Sequence, residues 1–219
     1  MSWAIDLAER GYVPDVIVRL FMRRLLRKRL AQDKIRSTPA GKAELMDEMC
    51  KGPIAINTGD ANQQHYEVPT GFFQLMLGSR MKYSCAFFED ESDPLDKAED
   101  TMLALCCSRA ELNDGQKILE LGCGWGSLSL YLAEHYPSSQ ITAVSNSATQ
   151  RTYIETQAVS RNLHNLSVIT ADMNDFSTAE QFDRVMSIEM FEHMRNHQML
   201  FHRISGWLKQ DGKLFFHIF

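Results

Sequence analysis

From Lys117 onward, short apolar runs alternate with longer segments of helical periodicity. The runs are Lys117–Leu121, Gln140–Ser145, Leu166–Ala171, Phe182–Ile188 and Lys213–Phe219, and the segments near 127–136, 149–162 and 195–210 read as helices. Strand, helix and strand in this order predict right-handed crossovers and a largely parallel α/β sheet covered on both faces. Upstream, Asp93-Pro94 predicts a helix start, with the acid as N-cap and proline in the first helical position, and the helix should run to about Ala110. Asn113-Asp114-Gly115 then turns the chain into the first strand. Residues 1–50 have a helical pattern that breaks at Gly11 to Pro14 and again over Ser37 to Gly41. Residues 52–64, GPIAINTGDANQQ, are polar and turn-rich. They lead into HYEVPTGFFQLMLGSRMKYSCAFFED, where His65, Tyr66, Phe72, Phe73, Tyr83, Phe87 and Phe88 are too many rings to leave in water. This segment should cover the main domain or a ligand. The expected organisation is an N-terminal helical extension over 1–64, an aromatic lid segment with its lead-in helix over 65–112, and an α/β core over 113–219, without internal repeats.

Composition sharpens this picture in three places. With 219 residues and 44% hydrophobic residues, one core can form, with room for an appended element. The net charge of −5 is unevenly spread: of 23 basic residues, six fall between Arg19 and Leu30, a stretch without an acid, against 28 acidic residues in the chain. Val16, Ile17, Leu20, Phe21, Leu25, Leu26 and Leu30 recur there at helical spacing, so the stretch is an amphipathic helix with a basic face. The favoured reading packs it on its own domain with the basic face solvated and paired to local acids; peripheral contact with anionic lipid is the alternative. No nucleic-acid partner is expected, since no interleaved aromatic and basic stripe accompanies the cluster. Cys50, Cys85, Cys106, Cys107 and Cys123 form neither a C-x-x-C pair nor a zinc pattern with histidine, which suggests no disulfide framework, no metal, and a reducing, cytoplasmic setting. The N-terminus lacks the apolar run of an ordinary signal peptide, and no stretch reaches the roughly 20 apolar residues of a membrane span.

In an open α/β sheet the ligand lies at the carboxyl ends of the strands, so the strand exits hold the candidate chemistry. The first exit, KILELGCGWG, carries Glu120 and a turn containing Gly122, Cys123, Gly124 and Gly126, through which backbone N–H groups and a helix start can approach a ligand. A dinucleotide fingerprint would place its third glycine at 127, where Ser127 stands. The second exit offers Ser145 and Asn146, followed by Gln150, and lacks the acid that often grips ribose hydroxyls; these residues could hydrogen-bond a ribose neutrally or simply cap a helix. At the third, Asp172 could accept from an adenine amine while Met173 packs on the ring. The fourth, SIEMFEHMRN, sets Glu189, Glu192 and His193 among apolar neighbours. Two carboxylates and an imidazole are groups able to remove a proton near neutral pH, and the trio is not read as a metal site.

Taken together, HYEVPTGFF, KYSCAFFED, LELGCGWGSLSLYLAE, VSNSATQ and SIEMFEHMRN resemble the cyclopropane-fatty-acid synthase-like branch of the class I S-adenosyl-L-methionine (SAM) methyltransferases. Within it they are most similar to the coclaurine N-methyltransferase group and its bacterial relatives. The resemblance covers nearly the whole chain. It implies a Rossmann-like doubly wound sheet, SAM as co-substrate and a small-molecule amine as methyl acceptor. It further implies that Tyr83 and Ser84 close over SAM, that the glycine loop cradles the methionyl part, and that Ser145, Asn146 and Gln150 approach the ribose. Asp172 and Met173 would meet the adenine, with Glu189, Glu192 and His193 as the catalytic carboxylates and histidine. The rival within the same branch is methylene transfer to a phospholipid acyl chain, for which the family uses a bicarbonate near the residues matching Cys85 and His193. HYEVPTGFF, Glu189 and Phe87 in place of tyrosine favour the amine. A different reading is a non-catalytic SAM-binding fragment. Relatives continue past the fifth strand with a helix and an antiparallel strand pair, so the C-terminal strands are expected to be missing and Leu214–Phe219 to form an apolar sheet edge. The acceptor's identity and the oligomeric state, a homodimer included, are not legible.

Overall fold

In the computed structural model, which describes residues 2–59 and 69–219, the fold is organised around β1 (Lys117–Leu121), whose residues after Lys117 are all buried. It is the middle strand of a parallel sheet with the order β3-β2-β1-β4-β5, formed with β2 (Gln140–Ser145), β3 (Leu166–Thr170), β4 (Phe182–Ile188) and β5 (Leu208–His217). The period-2 alternation of β1 sends its residues to two separate cores. Leu119 and Leu121 join Val144, Val185, Phe182 and Trp207 on one face, while Ile118 joins Leu128, Leu132, Ile141 and Met186 on the other. Each such fully buried aliphatic side chain contributes about 1.5–3 kcal/mol relative to exposure. The crossovers are α6 (Ser127–His135), α7 (Ala148–Ser160) and α8 (His197–Trp207), so the expected class of fold, a doubly wound parallel sheet, is the observed one.

Residues 1–51 and 52–219 are two compact units. The first holds α1 (Ser2–Glu9), α2 (Asp15–Arg36) and α3 (Pro39–Lys51), with breaks where glycine, proline and serine predict them. A side chain at Gly41 would collide with the Ile35 carbonyl, which lets α3 follow α2 so closely. Arg19 pairs with Asp15 at 2.6 Å and Arg29 with Asp33 at 3.0 Å, the local acid pairing expected of a solvated basic face. The other half of that expectation is corrected: no residue of α2 is buried, and Leu20, Leu25 and Leu30 are exposed.

The second unit also contains α4 (Thr70–Met76) and α5 (Leu95–Arg109). The expected N-cap role of Asp93 is not observed. Its carboxylate instead accepts from Lys97 Nζ at 2.7 Å and from the Asp90 N–H at 3.2 Å, and the helix begins one residue after Pro94. Of the aromatic segment, Phe73 is buried against Met81 and Trp125, but Phe72, Phe87 and Phe88 stay about half exposed, so only part of the expected cover forms. His65 and Tyr66 lie outside the described residues. β5 starts at Leu208, directly after α8 and ahead of the expected Lys213. Its pairing jumps from Phe182–Leu208 to Arg184–Lys213, and Gly212 lies where a Cβ would be 2.9 Å from the Phe182 carbonyl oxygen. All five cysteines are free thiols, and among the described residues no helix is long and apolar enough to cross a membrane.

A tight contact with α7 helps to hold the loop between β1 and α6. Gly126 has φ +79° and sits so close to α7 that an added Cβ would be 2.5 Å from Ile154 Cγ1. Gly126→Ala combines left-handed backbone strain with overpacking, and urea unfolding should show a loss of about 2–4 kcal/mol. Trimming the obstruction in Gly126→Ala/Ile154→Ala should leave the two effects less than additive.

Candidate active site

Because β1 feeds outward to β2 while β4 feeds outward to β5, the loops leaving the carboxyl ends of β1 and β4 diverge and open a crevice between them. The two loops touch at its floor. Gly122 (φ +76°) has no side chain there because a Cβ would lie 2.8 Å from Met190 Cβ. On the other side of the crevice Glu189 takes φ +52°, a left-handed conformation rare outside glycine and asparagine. Its backbone N–H donates to the His217 carbonyl at 2.7 Å, and its Oε1 accepts from the Cys85 N–H at 3.3 Å. A strained residue held from two sides is the kind that marks functional positions.

Two cavities adjoin in this crevice, with Gly122, Gly124, Gln150 and Glu189 lining both. The larger, about 530 Å³, brings together Ser145, Asn146, Asp172, Met173 and His193 from three strand exits. The smaller, about 80 Å³, is lined by Tyr83, Ser84, Glu120, Cys123, Trp125 and Ser127. Gly126 and Glu192 line neither of these two. Gly126 is needed for helix packing, and the glycine loop offers a ligand room more than donors. The N–H groups of Gly122 and Cys123 both donate to the Val144 carbonyl at 3.0 Å, and that of Gly126 to Cys123 O at 2.8 Å. Ser147, with its Oγ accepting from the Gln150 N–H at 3.3 Å, caps α7, while Ser145 Oγ donates to Gln150 Oε1 at 2.7 Å. Asp172 Oδ1 accepts the Asn174 N–H at 2.8 Å, so it shapes its turn as well as lining the cavity.

Several polar groups here lack partners among the described residues. Trp125 Nε1, Ser127 Oγ and Gln150 Nε2 line the cavities, are buried and make no hydrogen bond, a state that costs about 1–3 kcal/mol per group unless a ligand or water supplies the missing partner. Glu120 is buried beneath α6, accepting from Ser129 Oγ. Burial drives its carboxyl up from 4.5 to about 7, against the lowering effects of Ser129 and of Lys82. Both oxygens of Glu192, in the 3₁₀ turn Phe191–His193, are likewise buried without a partner among the described residues. The imidazole beside Cys85 is that of His217, its Nδ1 4.0 Å from Sγ, where the sequence pointed to His193. Cys85, Glu189 and His217 each bring one ligand-type atom within 4.8 Å of the others, a cluster that spacing could not reveal because the three residues are far apart in the chain. Burial pushes the Cys85 thiol up, with Glu189 adding to the shift and Lys82 opposing it.

Residues 55–219 match the family described as mycolic acid cyclopropane synthetase. The chain belongs to this family. Among curated members, it is 39% identical over 210 residues to (S)-coclaurine N-methyltransferase of Thalictrum flavum subsp. glaucum, covering 94% of this chain and 58% of that one. It is 33% identical over 157 residues to cyclopropane-fatty-acyl-phospholipid synthase of Escherichia coli (strain K12), covering 71% and 39%. A solved structure of coclaurine N-methyltransferase bound to N-methylheliamine and SAH superposes with a TM-score of 0.79 at 39% identity, over 98% of this chain and 63% of that one. The chain therefore spans about three fifths of the N-methyltransferase relatives it matches. The family match starts three residues into the second compact unit.

The polar, turn-rich stretch after Gly52 is part of this site, which the sequence did not suggest. Ala55, Ile56, Asn57 and Thr58 line the larger cavity. The strap is held by Asn174, whose side chain exchanges two hydrogen bonds with the Ala55 backbone (3.1 and 3.0 Å), by the Arg195 N–H on Ile54 O (2.6 Å) and by Asn196 Nδ2 on Gly52 O (2.7 Å). In the sequence, only the short apolar run Ile54-Ala55-Ile56 inside this polar stretch hints at it.

The buried Glu120 makes stability depend on pH. Its folded-state pKa lies above the unfolded value, so the native state holds a proton that the unfolded chain has released between pH 4.5 and about 7. This one group should therefore lower stability by about 3 kcal/mol as pH rises through that window, with no further change above it. Urea unfolding of the wild type against Glu120→Gln should show the difference growing from pH 5 to 7 in favour of the variant. Parallel curves would remove Glu120 as the source.

Proposed function

We propose that the protein is a SAM-dependent N-methyltransferase acting on a small amine, with the crevice between β1 and β4 as its active site. The observation that carries this is the convergence of Glu189 and His193, at the exit of β4, on the same crevice as the glycine loop and its unpartnered polar atoms. The identity to coclaurine N-methyltransferase supports the amine as acceptor.

The residues present suit SAM. Asn146, Gln150, Asp172 and Met173 would hold its nucleoside in the larger cavity, and Tyr83, Ser84, Glu120 and Gly122 its amino-acid end in the smaller one. SAM supplies an electrophilic sulfonium methyl group, so the protein's task is alignment and exclusion of water. A protonated amine has no lone pair to attack with. His193, lining the cavity, accepts that proton directly or through water, and Glu192, its neighbour in the chain, is the second group assigned to the proton's removal. Glu189, held by Cys85 and β5, presents a fixed negative charge that attracts a cationic acceptor. The free cysteines support a reducing, cytoplasmic setting.

A second reading, methylene transfer to a phospholipid acyl chain, is favoured by the Cys85, Glu189 and His217 cluster, a place for an oxyanion such as bicarbonate, and by the exposed apolar and basic side chains of α2, which suit an anionic membrane surface. Methyl-labelled SAM offered with a panel of secondary and tertiary amines, and separately with anionic phospholipid vesicles, decides between the two: label in the amines is expected, label in the lipid alone would reverse the choice. In the amine assay, Glu192→Ala/His193→Ala should lower kcat by about 10²–10⁴-fold while SAM affinity stays within about twofold. A large loss of SAM binding in that variant would refute the proton-accepting role.

A further inference from the structure

The small cavity contains a buried cation that neither the sequence motifs nor the family resemblance singles out. Lys82 is only 4% exposed, yet among the described residues it forms no ion pair; its one side-chain hydrogen bond is from Nζ to Ser84 Oγ. A lysine this buried is normally paired, because the desolvation of an unpaired ammonium is costly.

Its position is firmly set. Arg80, immediately upstream, is anchored to Asp100 and to Glu134, each at 2.6 Å, and its N–H donates to the buried Glu99 carboxylate at 3.1 Å. Glu99 also accepts from the backbone N–H groups of Gly78 and Lys82, so the chain wraps around this one carboxylate. Met81 then takes φ +54° with its side chain buried against Trp125, and Lys82 comes to line the small cavity beside Ser84, Glu120 and Glu189. Of the acids in this region, Glu99 is occupied by backbone donors, Glu189 by Cys85, and Glu120 by Ser129. Burial raises the Glu120 carboxyl to about 7, which weakens it as a counter-charge for the ammonium.

We infer that Lys82 is the residue that binds the carboxylate of the co-substrate's amino-acid end, with Ser84 as a second donor and Glu120 facing the ammonium group. The assignment rests on the SAM site proposed above and adds to it a specificity element. The small cavity is a reader of a zwitterion, lined by the cation of Lys82 and by the acids Glu120 and Glu189, about 80 Å³ in size, and hence suited to the end of an amino acid rather than to a nucleoside. A charge-assisted bond of this kind in a dry site is strong, and it separates ligands that carry the carboxylate from those that do not.

The test is isothermal titration of the chain with two probes, S-adenosylhomocysteine and the same thioether lacking only its carboxylate. The wild type should bind the first at least about tenfold more tightly, the scale of one hydrogen bond to a charged group. Lys82→Met should weaken S-adenosylhomocysteine by about 10- to 100-fold and leave the decarboxylated probe within about twofold, closing the gap. Lys82→Gln, which keeps a donor for Ser84 but no charge, should narrow it likewise, and Lys82→Arg should keep most of it. Circular dichroism and melting of each variant separate a binding defect from misfolding. Equal binding of both probes by the wild type, or equal weakening of both in Lys82→Met and Lys82→Gln, overturns the assignment while leaving the SAM site standing. Binding of neither probe by the wild type overturns the SAM site, and this assignment with it.

Discussion

The contact between Gly122 and Met190 is the constraint on which the rest of the site depends. It brings the loops leaving β1 and β4 within van der Waals distance at the point where the strand order reverses, and it tolerates no side chain on one partner. The groups carried by these two loops are placed by that approach. The glycine loop and α6 lie on one side, and Glu189, Met190 and the 3₁₀ turn with Glu192 and His193 lie on the other. The left-handed backbone at Glu189 is the local consequence. The chain must leave β4 sharply to keep Met190 under Gly122, and the strain is borne because β5 and Cys85 hold the residue from two directions.

Two buried carboxylates, Glu99 and Glu120, organise the small cavity. Glu99 gathers the N–H groups of Gly78, Arg80 and Lys82 and so sets the path of the segment that carries Tyr83 and Ser84. Glu120 is held by Ser129 beneath α6. Burial raises the pKa of both, and backbone or hydroxyl donors offset only part of the shift. Such groups make little sense as contributors to stability. They make sense as parts of a site whose remaining partners arrive with a ligand, and the unpartnered atoms of Trp125, Ser127 and Gln150 point the same way. The larger cavity differs in character. Its walls are formed by Met173, Met190, Met194 and Ile56, with polar groups at the strand exits, the arrangement of a pocket that recognises a flat apolar face and fixes its orientation at the edges.

The strand pattern was legible in the sequence because each of β1, β2 and β4 is a short run of apolar residues bounded by turn residues, and period alone suffices for that. Parallel topology followed from the alternation with helices. The candidate residues at the strand exits were legible for the same reason: once the strands are known, the position of a ligand relative to them is a property of the fold class. The start of β5 was not legible, because Lys209 to Gly212 reads as a turn, and only the pairing of Leu208 with Phe182, across the irregularity that holds these four residues, extends the strand back to Leu208. Nor was the strap over residues 52–58, whose polar composition conceals that Asn174 and Asn196 tie it to the core.

By itself, then, the amino-acid sequence determined the class of fold, the motif-bearing loops and the families of residue at each strand exit, since these depend on local periodicity and on spacing along the chain. Only the tertiary structure decided which of those residues share a cavity and which do not. It separated Gly126, a packing glycine, from Gly122 and Gly124; it set His217 beside Cys85; and it buried Lys82 next to Ser84 and Glu120. Each of these depends on distances between residues far apart in the chain, fixed by how helices and strands pack, and no local pattern encodes them.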